Sequence, residues 1–162
     1  MAKKTNSTPL HQYLLPDVEV SEIDLAYIAG LLDGDGSFLI RKRSGERGYC
    51  MQVVYPKYHR ETIEYVSNLF EGNAKDVNRS AGKAVYMVTF SSRKAYRLLS
   101  QIYPLLRIKK RAAQICMRFL EQYWRPGRTT PVDIDRDNIG AFHASLLKKE
   151  HTKSWPRRRP PR

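Results

Sequence analysis

Residues 25–36 read L-A-Y-I-A-G-L-L-D-G-D-G, eight uncharged residues that run into two aspartates, each followed by glycine. At about 3.6 residues per turn, Leu25, Ile28, Ala29 and Leu32 share one face, the ordinary core stripe of a helix. The opposite face of a surface helix should be charged. Here it holds Ala26, Gly30 and Gly34, spaced i, i+4, i+8. A mid-helix glycine costs about 1 kcal/mol relative to alanine, which is offset where a second backbone comes close along the stripe. The chain has no second copy of the segment. The simplest partner is therefore the same helix of another protomer about a two-fold axis, with Ala26, Gly30, Leu31 and Asp33 at the interface.

The two acids conflict with local electrostatics. A helix C-terminus carries partial negative charge, so Asp33 and Asp35 oppose the dipole. Two protomers joined along this helix bring four such acids together, and like charges that close need compensation. A divalent cation supplies it: carboxylate oxygens and the exposed carbonyls of a glycine turn are hard ligands suited to magnesium. Glycines also let a phosphate backbone approach. This predicts a metal site shared across a dimer axis and serving phosphate chemistry. An EF-hand does not fit, because its loop wants glycine at position six and glutamate at position twelve, where this chain has Phe38 and Ser44. The simpler alternative is a buried helix ended by an ordinary Asp-Gly turn. The small-residue stripe and the charge of the whole chain favour the metal site.

That charge is +13, from 29 Lys and Arg against 16 acids in 162 residues. It favours a polyanionic partner, nucleic acid first and an acidic membrane surface second. Hydrophobic residues make up 41%, enough for a core. Cys50 and Cys116 are far apart with no CxxC pair, which argues against zinc fingers and disulfide scaffolds and for a reducing compartment. The segment MAKKTNSTPLHQYLLP lacks an apolar h-region, so no secretory signal is expected. No apolar run approaches the roughly 20 residues of a membrane span. The expected location is intracellular, in prokaryotic cytoplasm or an organelle matrix.

Outward from the opening segment, residues 1–20 read as a loosely held arm. Ser21 stands at an N-cap position with Glu22 and Asp24 in the first turn, predicting a helix over 22–33 ended by Gly34 and Gly36. Residues 37–43 and 49–55 alternate around SGERG, a hairpin stopped by Pro56. A helix is predicted over 60–70, ended by Gly72-Asn73. A second hairpin spans 75–80 and 83–91 around Ala81-Gly82, with Ala84, Tyr86, Val88 and Phe90 on its core face. Further helices are predicted over 93–103, 110–123 and 138–149, and SWPRRRPPR forms a tail. The expected organisation is an arm (1–20), a core domain (21–124), a helical extension (125–150) and a basic tail (151–162). Residues 148–162 hold seven Lys or Arg against one acid, a run that would track phosphates or simply be solvated.

Hairpins separated by helices predict an α+β fold with a four-stranded antiparallel sheet. Helices cover one face and no element is left for the other. Leu39, Arg41 and Arg43 share that open face with Cys50 and Gln52, a surface suited to a DNA groove. The four histidines show no metal-ligand spacing.

LAYIAGLLDGDGSF resembles the signature of the LAGLIDADG homing endonucleases, and RIKKRAAQ at 107–114 resembles the segment those enzymes place before a late helix. The order helix-hairpin-helix-hairpin-helix matches the family core over roughly residues 22–123, and a single motif resembles the homodimeric, intron-encoded branch. The resemblance implies a dimer through the motif helix. It implies that Asp35 binds the catalytic metals, that Gly34 offers its carbonyl, and that Asp33 caps. Lys109 best matches the basic residue near the scissile phosphate, with Lys110 and Arg111 as competitors. For the polar residues after the second strand the match weakens in Y-P-K-Y-H-R: Tyr55 and His59, or Lys57 and Arg60 one register along, fill those positions. His59 joins Asp35 and Lys109 in the expected catalytic set.

The expected activity is site-specific double-strand DNA cleavage with Mg2+, for which Mn2+ substitutes, at a long pseudo-palindromic target and with short 3′ overhangs. Arg41, Arg43, Gln52, Asn78, Arg79 and Lys83 are the expected DNA contacts. The rival expectations are an RNA maturase acting on an intron and a non-cleaving DNA-binding regulator of the same fold.

Overall fold

Ser21 starts the first helix as its N-cap: the Asp24 N–H donates to Ser21 Oγ at 3.2 Å, and the hydroxyl donates back to the Asp24 carboxylate at 2.7 Å. In the computed structural model, which describes residues 14–43, 48–78, 84–123 and 134–154, this helix (α1, Glu22–Asp35) is followed by strands β1 (Ser37–Lys42) and β2 (Tyr49–Lys57). Then come α2 (Arg60–Phe70), β3 (Asn73–Asn78), β4 (Ala84–Ser91), α3 (Arg93–Ile102), α4 (Lys110–Tyr123) and α5 (Ile134–Ser154). The strands form one antiparallel sheet in the order β1-β2-β4-β3. The α+β reading and its element order therefore hold.

Strand parity sets what lies inside. Phe38, Met51, Val53, Tyr55, Val88 and Phe90 point to the helical side and are fully buried. They meet Ile28 and Leu32 of α1, Ile63 and Phe70 of α2, Leu98 and Leu99 of α3, and Phe119 of α4 in one cluster. Each such side chain contributes roughly 1.5–3 kcal/mol of burial energy. The expected core stripe of α1 is observed, with Leu25 half-buried and Ile28, Ala29 and Leu32 at its centre.

Several boundaries differ from expectation, each for a local reason. Helix α1 runs two residues further, to Asp35, because its last carbonyls find partners without a left-handed turn; Gly36 is extended (φ −68°, ψ 151°) and donates its N–H to Leu32 O. Strand β2 does not stop at Pro56. Proline there pairs with Met87 of β4, while β1 reaches only as far as Val54, so on that side β2 is an edge, where proline is tolerated. Helix α2 ends on Glu71 in the left-handed region (φ 54°), not on a glycine. Arg97 holds it there, donating to Phe70 O and to the Glu71 carboxylate. Gly72 is small because an added Cβ would lie 2.4 Å from Val88.

Residues 14–20 are strapped down, unlike the expected loose arm: Val18 exchanges hydrogen bonds with the Gln101 amide, and Leu14, Val18 and Val20 pack against the core. Helix α5 is longer than the expected 138–149 and packs on α4 and β1, burying Leu147 and His143. The Ala81-Gly82 turn, most of SGERG and the tail beyond 154 lie outside the described residues.

Candidate active site

The C-terminal end of α1 gathers the charged groups. Asp33 turns away from the helix and accepts three backbone N–H groups, from Arg107 (2.7 Å), Ile108 (3.2 Å) and Lys109 (2.9 Å). It thereby holds the backbone of the link that leads into α4, up to Lys109 just before the helix begins. Lys109, fixed by that contact, reaches back. Its Nζ donates to the carbonyls of Leu32 (2.9 Å), Gly34 (3.1 Å) and Gly36 (2.7 Å). A cation at a helix C-terminus is favourable for the dipole, and here it adds to the cap that the Gly36 N–H makes on Leu32 O. Burial pushes the Lys109 ammonium below its ordinary pKa, against the opposing pull of Asp33 and Asp35.

Asp35 projects past this cap with its side chain 55% exposed and is ion-paired to Lys57. The hydrogen bond to Asp35 raises the Lys57 pKa. The continuation of β2 through Pro56 makes this contact possible, because Lys57 shares strand parity with Tyr55 and emerges on the helical side of the sheet. Of the alternatives in residues 55–60, Lys57 is thus the one brought to Asp35. His59 occupies the N-cap of α2 without a capping bond from its side chain, and Arg60 pairs with Glu64 at 2.6 Å. Tyr55 lies beneath the site, fully buried, with no hydrogen-bond partner for its hydroxyl among the described residues.

The small-residue stripe of α1 is uncovered. Ala26, Gly30 and Gly34 are exposed, and a Cβ added at Gly30 or Gly34 would meet nothing within 4 Å. A groove of about 460 Å³ runs beside the stripe, with Pro104, Leu105 and Lys110 on its far wall. Ile23 (81% exposed), Tyr27, Leu105 and Ile108 are also exposed. Within the chain Leu31 packs partly on the core and Asp33 is committed to the α4 N-terminus, so Ala26 and Gly30 are the unencumbered members of the expected interface.

The sheet face turned away from the helices carries the paired residues Leu39–Gln52 and Arg41–Cys50, with Arg43 just beyond β1. The register adds Lys75, which pairs with Met87 of β4, itself paired with Pro56; alternation in the sequence did not single it out. Asn78 ends β3; Arg79 and Lys83 lie outside the described residues. Cys116 is buried and its thiol is pushed up to about 12 by burial, which leaves it inert as a nucleophile. Among the described residues no three His, Cys, Asp or Glu side chains gather as a metal cluster, and no helix is long and apolar enough to cross a membrane.

No family model matches the sequence, and no curated protein matches it in sequence. Solved structures do match in three dimensions. I-CvuI, a homing endonuclease crystallised with its DNA target in the presence of calcium, superposes with a TM-score of 0.60 at 13% identity, over 86% of this chain and 87% of that one. I-Vdi141I, an archaeal intron-encoded homing endonuclease complexed with DNA, gives 0.65 at 16% identity, over 85% and 90%. The LAGLIDADG meganuclease I-AabMI, bound to uncleaved DNA, gives 0.56 at 15% identity, over 76% of this chain and 44% of that one.

Proposed function

We propose that this chain, whose fold is that of the LAGLIDADG homing endonucleases, is a site-specific double-strand DNA endonuclease that acts as a homodimer with a divalent metal. One observation carries the reading. The Asp35 carboxylate and the Gly34 carbonyl stand together at the end of a helix whose small-residue face is open, beside a lysine held by the same helix end. These are hard oxygen donors that already draw cations, which fits magnesium or manganese. A single chain offers one such carboxylate, so a second copy packed along Ala26 and Gly30 completes the ligand set. The same sequence spacing that places small residues on one face places Asp35 at its end, so dimerisation and site assembly follow from one helix.

A bound divalent ion would supply Lewis-acid polarisation and an activated water. The chain supplies the rest. Asp35 and the Gly34 carbonyl hold the ion, and Lys109 adds a partly desolvated positive charge close to where a phosphate would lie, stabilising charge that develops there. Asp33 keeps Lys109 in place through the backbone of residues 107–109. The open sheet face of each copy, with Arg41, Arg43, Gln52 and Lys75, suits the major groove of one half-site, where arginine reads guanine and glutamine reads adenine. I-CvuI, of similar fold, has also been crystallised with the I-CreI DNA target in magnesium, with the DNA not cleaved.

The test is cleavage selection from a randomised duplex library with Mg2+, run beside Asp35→Asn. A single long, partly palindromic site cut by the wild type and only bound by the variant supports the proposal. Equal cleavage by Asp35→Asn removes Asp35 from the chemistry. Binding without cleavage by the wild type would reduce the protein to a DNA-binding module.

A further inference from the structure

The geometry points to Lys57 as a built-in counter-cation that competes with the divalent metal for Asp35, so that the DNA-free protein binds metal weakly. The inference rests on the metal-site reading above and concerns what occupies that site at rest.

Both oxygens assigned to the metal hold lysine ammonium groups, but the two lysines are held very differently. Lys109 is inserted into the helix end with three carbonyl partners, at 2.7–3.1 Å. It contributes to the ending of α1, and the Gly34 carbonyl it touches keeps a second lone pair for another partner. Among the described residues Lys57 has Asp35 as its one hydrogen-bond partner, and its side chain is 33% exposed. Its Nζ lies 5.9 Å from the centroid of the Tyr55 ring, which is wholly buried and so gives the lysine a fixed base. Lys57 is thus tethered at the site yet free to leave it.

A divalent ion on the same Asp35 oxygens would stand within a few ångströms of the Lys57 ammonium. Like charges at that range repel strongly, so Lys57 must swing outward before the metal enters. The affinity of the resting protein is lowered by the ion pair that is broken and by the residual repulsion. Half-exposed pairs of this kind are modest, so the penalty is expected as about a five- to tenfold loss of metal affinity, not as exclusion.

The experiment titrates the full-length, DNA-free protein with Mn2+ and follows the free ion by electron paramagnetic resonance. Lys57→Met keeps the aliphatic stem and removes the charge; it should bind Mn2+ about five- to tenfold more tightly than wild type. Lys57→Arg should behave as wild type. Lys94→Met, which removes an equal charge on α3, should change affinity less than twofold. Asp35→Asn and the Asp35→Asn/Lys57→Met double variant should both lose the site. Wild-type affinity in Lys57→Met, with binding still lost in Asp35→Asn, would overturn the role of Lys57 and leave the metal site standing. Unchanged binding in Asp35→Asn would overturn both. An equal gain from Lys94→Met would reduce the effect to net charge and overturn the inference as well.

Discussion

Removing the Asp33 carboxylate tests the joint on which the site is built. This side chain links the end of α1 to the start of α4 through three N–H donors at 2.7, 3.2 and 2.9 Å. Hydrogen bonds to a charged acceptor contribute about 1.5–3 kcal/mol each when buried, so a simple sum would reach roughly 5–9 kcal/mol. That sum is too large, because Asp33 is half-exposed and water replaces part of what is lost. Loss of a helix N-cap, the closer analogy, costs about 0.5–2 kcal/mol. Asp33→Ala should therefore destabilise by about 2 kcal/mol, or about 4–8 °C in Tm for a chain of this size. Asp33→Asn retains one acceptor oxygen and should cost about half as much. Urea denaturation followed by circular dichroism measures both. A loss below about 0.5 kcal/mol for Asp33→Ala, or an equal loss for the two variants, would refute the view that the carboxylate organises this junction. The backbone at 107–109 also positions Lys109, so Asp33→Ala should lower the cleavage rate even where the protein remains folded.

Gly30→Leu should leave the monomer fold intact, since a Cβ added there meets nothing within 4 Å among the described residues, and should abolish self-association; sedimentation that still shows a dimer would rule out the α1 interface. Gly36→Ala should destabilise, because its Cβ would lie 2.7 Å from the Leu32 side chain and carbonyl; a thermal melt within a degree or so of wild type would contradict that crowding. Glu71, held below its ordinary 4.5 chiefly by the hydrogen bond from Arg97, contributes stability that is present above that value and fades as pH falls through the lowered folded-state pKa. The Tm advantage of wild type over Glu71→Gln should thus be steady near neutrality and shrink in acid, and a difference independent of pH would refute the ion pair's contribution. Affinity for duplex DNA should fall steeply with salt as phosphates are neutralised; a flat salt dependence would exclude the Arg-bearing sheet face as the binding surface.

Periodicity determined much of this protein from the sequence alone. The stripe Leu25, Ile28, Ala29 and Leu32 set the inner face of α1, and the two alternating hairpins set a sheet with one apolar and one basic face. Those patterns are local, repeating every turn or every second residue, so they survive without knowledge of what packs where. That two acids, Asp33 and Asp35, close this apolar helix was legible for the same reason, and the resemblance of the motif singled out Asp35. The partners of that acid were not legible. Lys57 reaches Asp35 only because β2 continues through Pro56, and it does so because β1 is too short to pair there. Lys109 caps α1, and Asp33 holds the link into α4, across more than 70 residues of intervening chain. The helix therefore runs through Gly34 to Asp35, and of the two expected glycines only Gly36 stands at its end. Such contacts depend on which ends of which elements meet. Strand lengths and core packing decide that, and only the tertiary structure contains it.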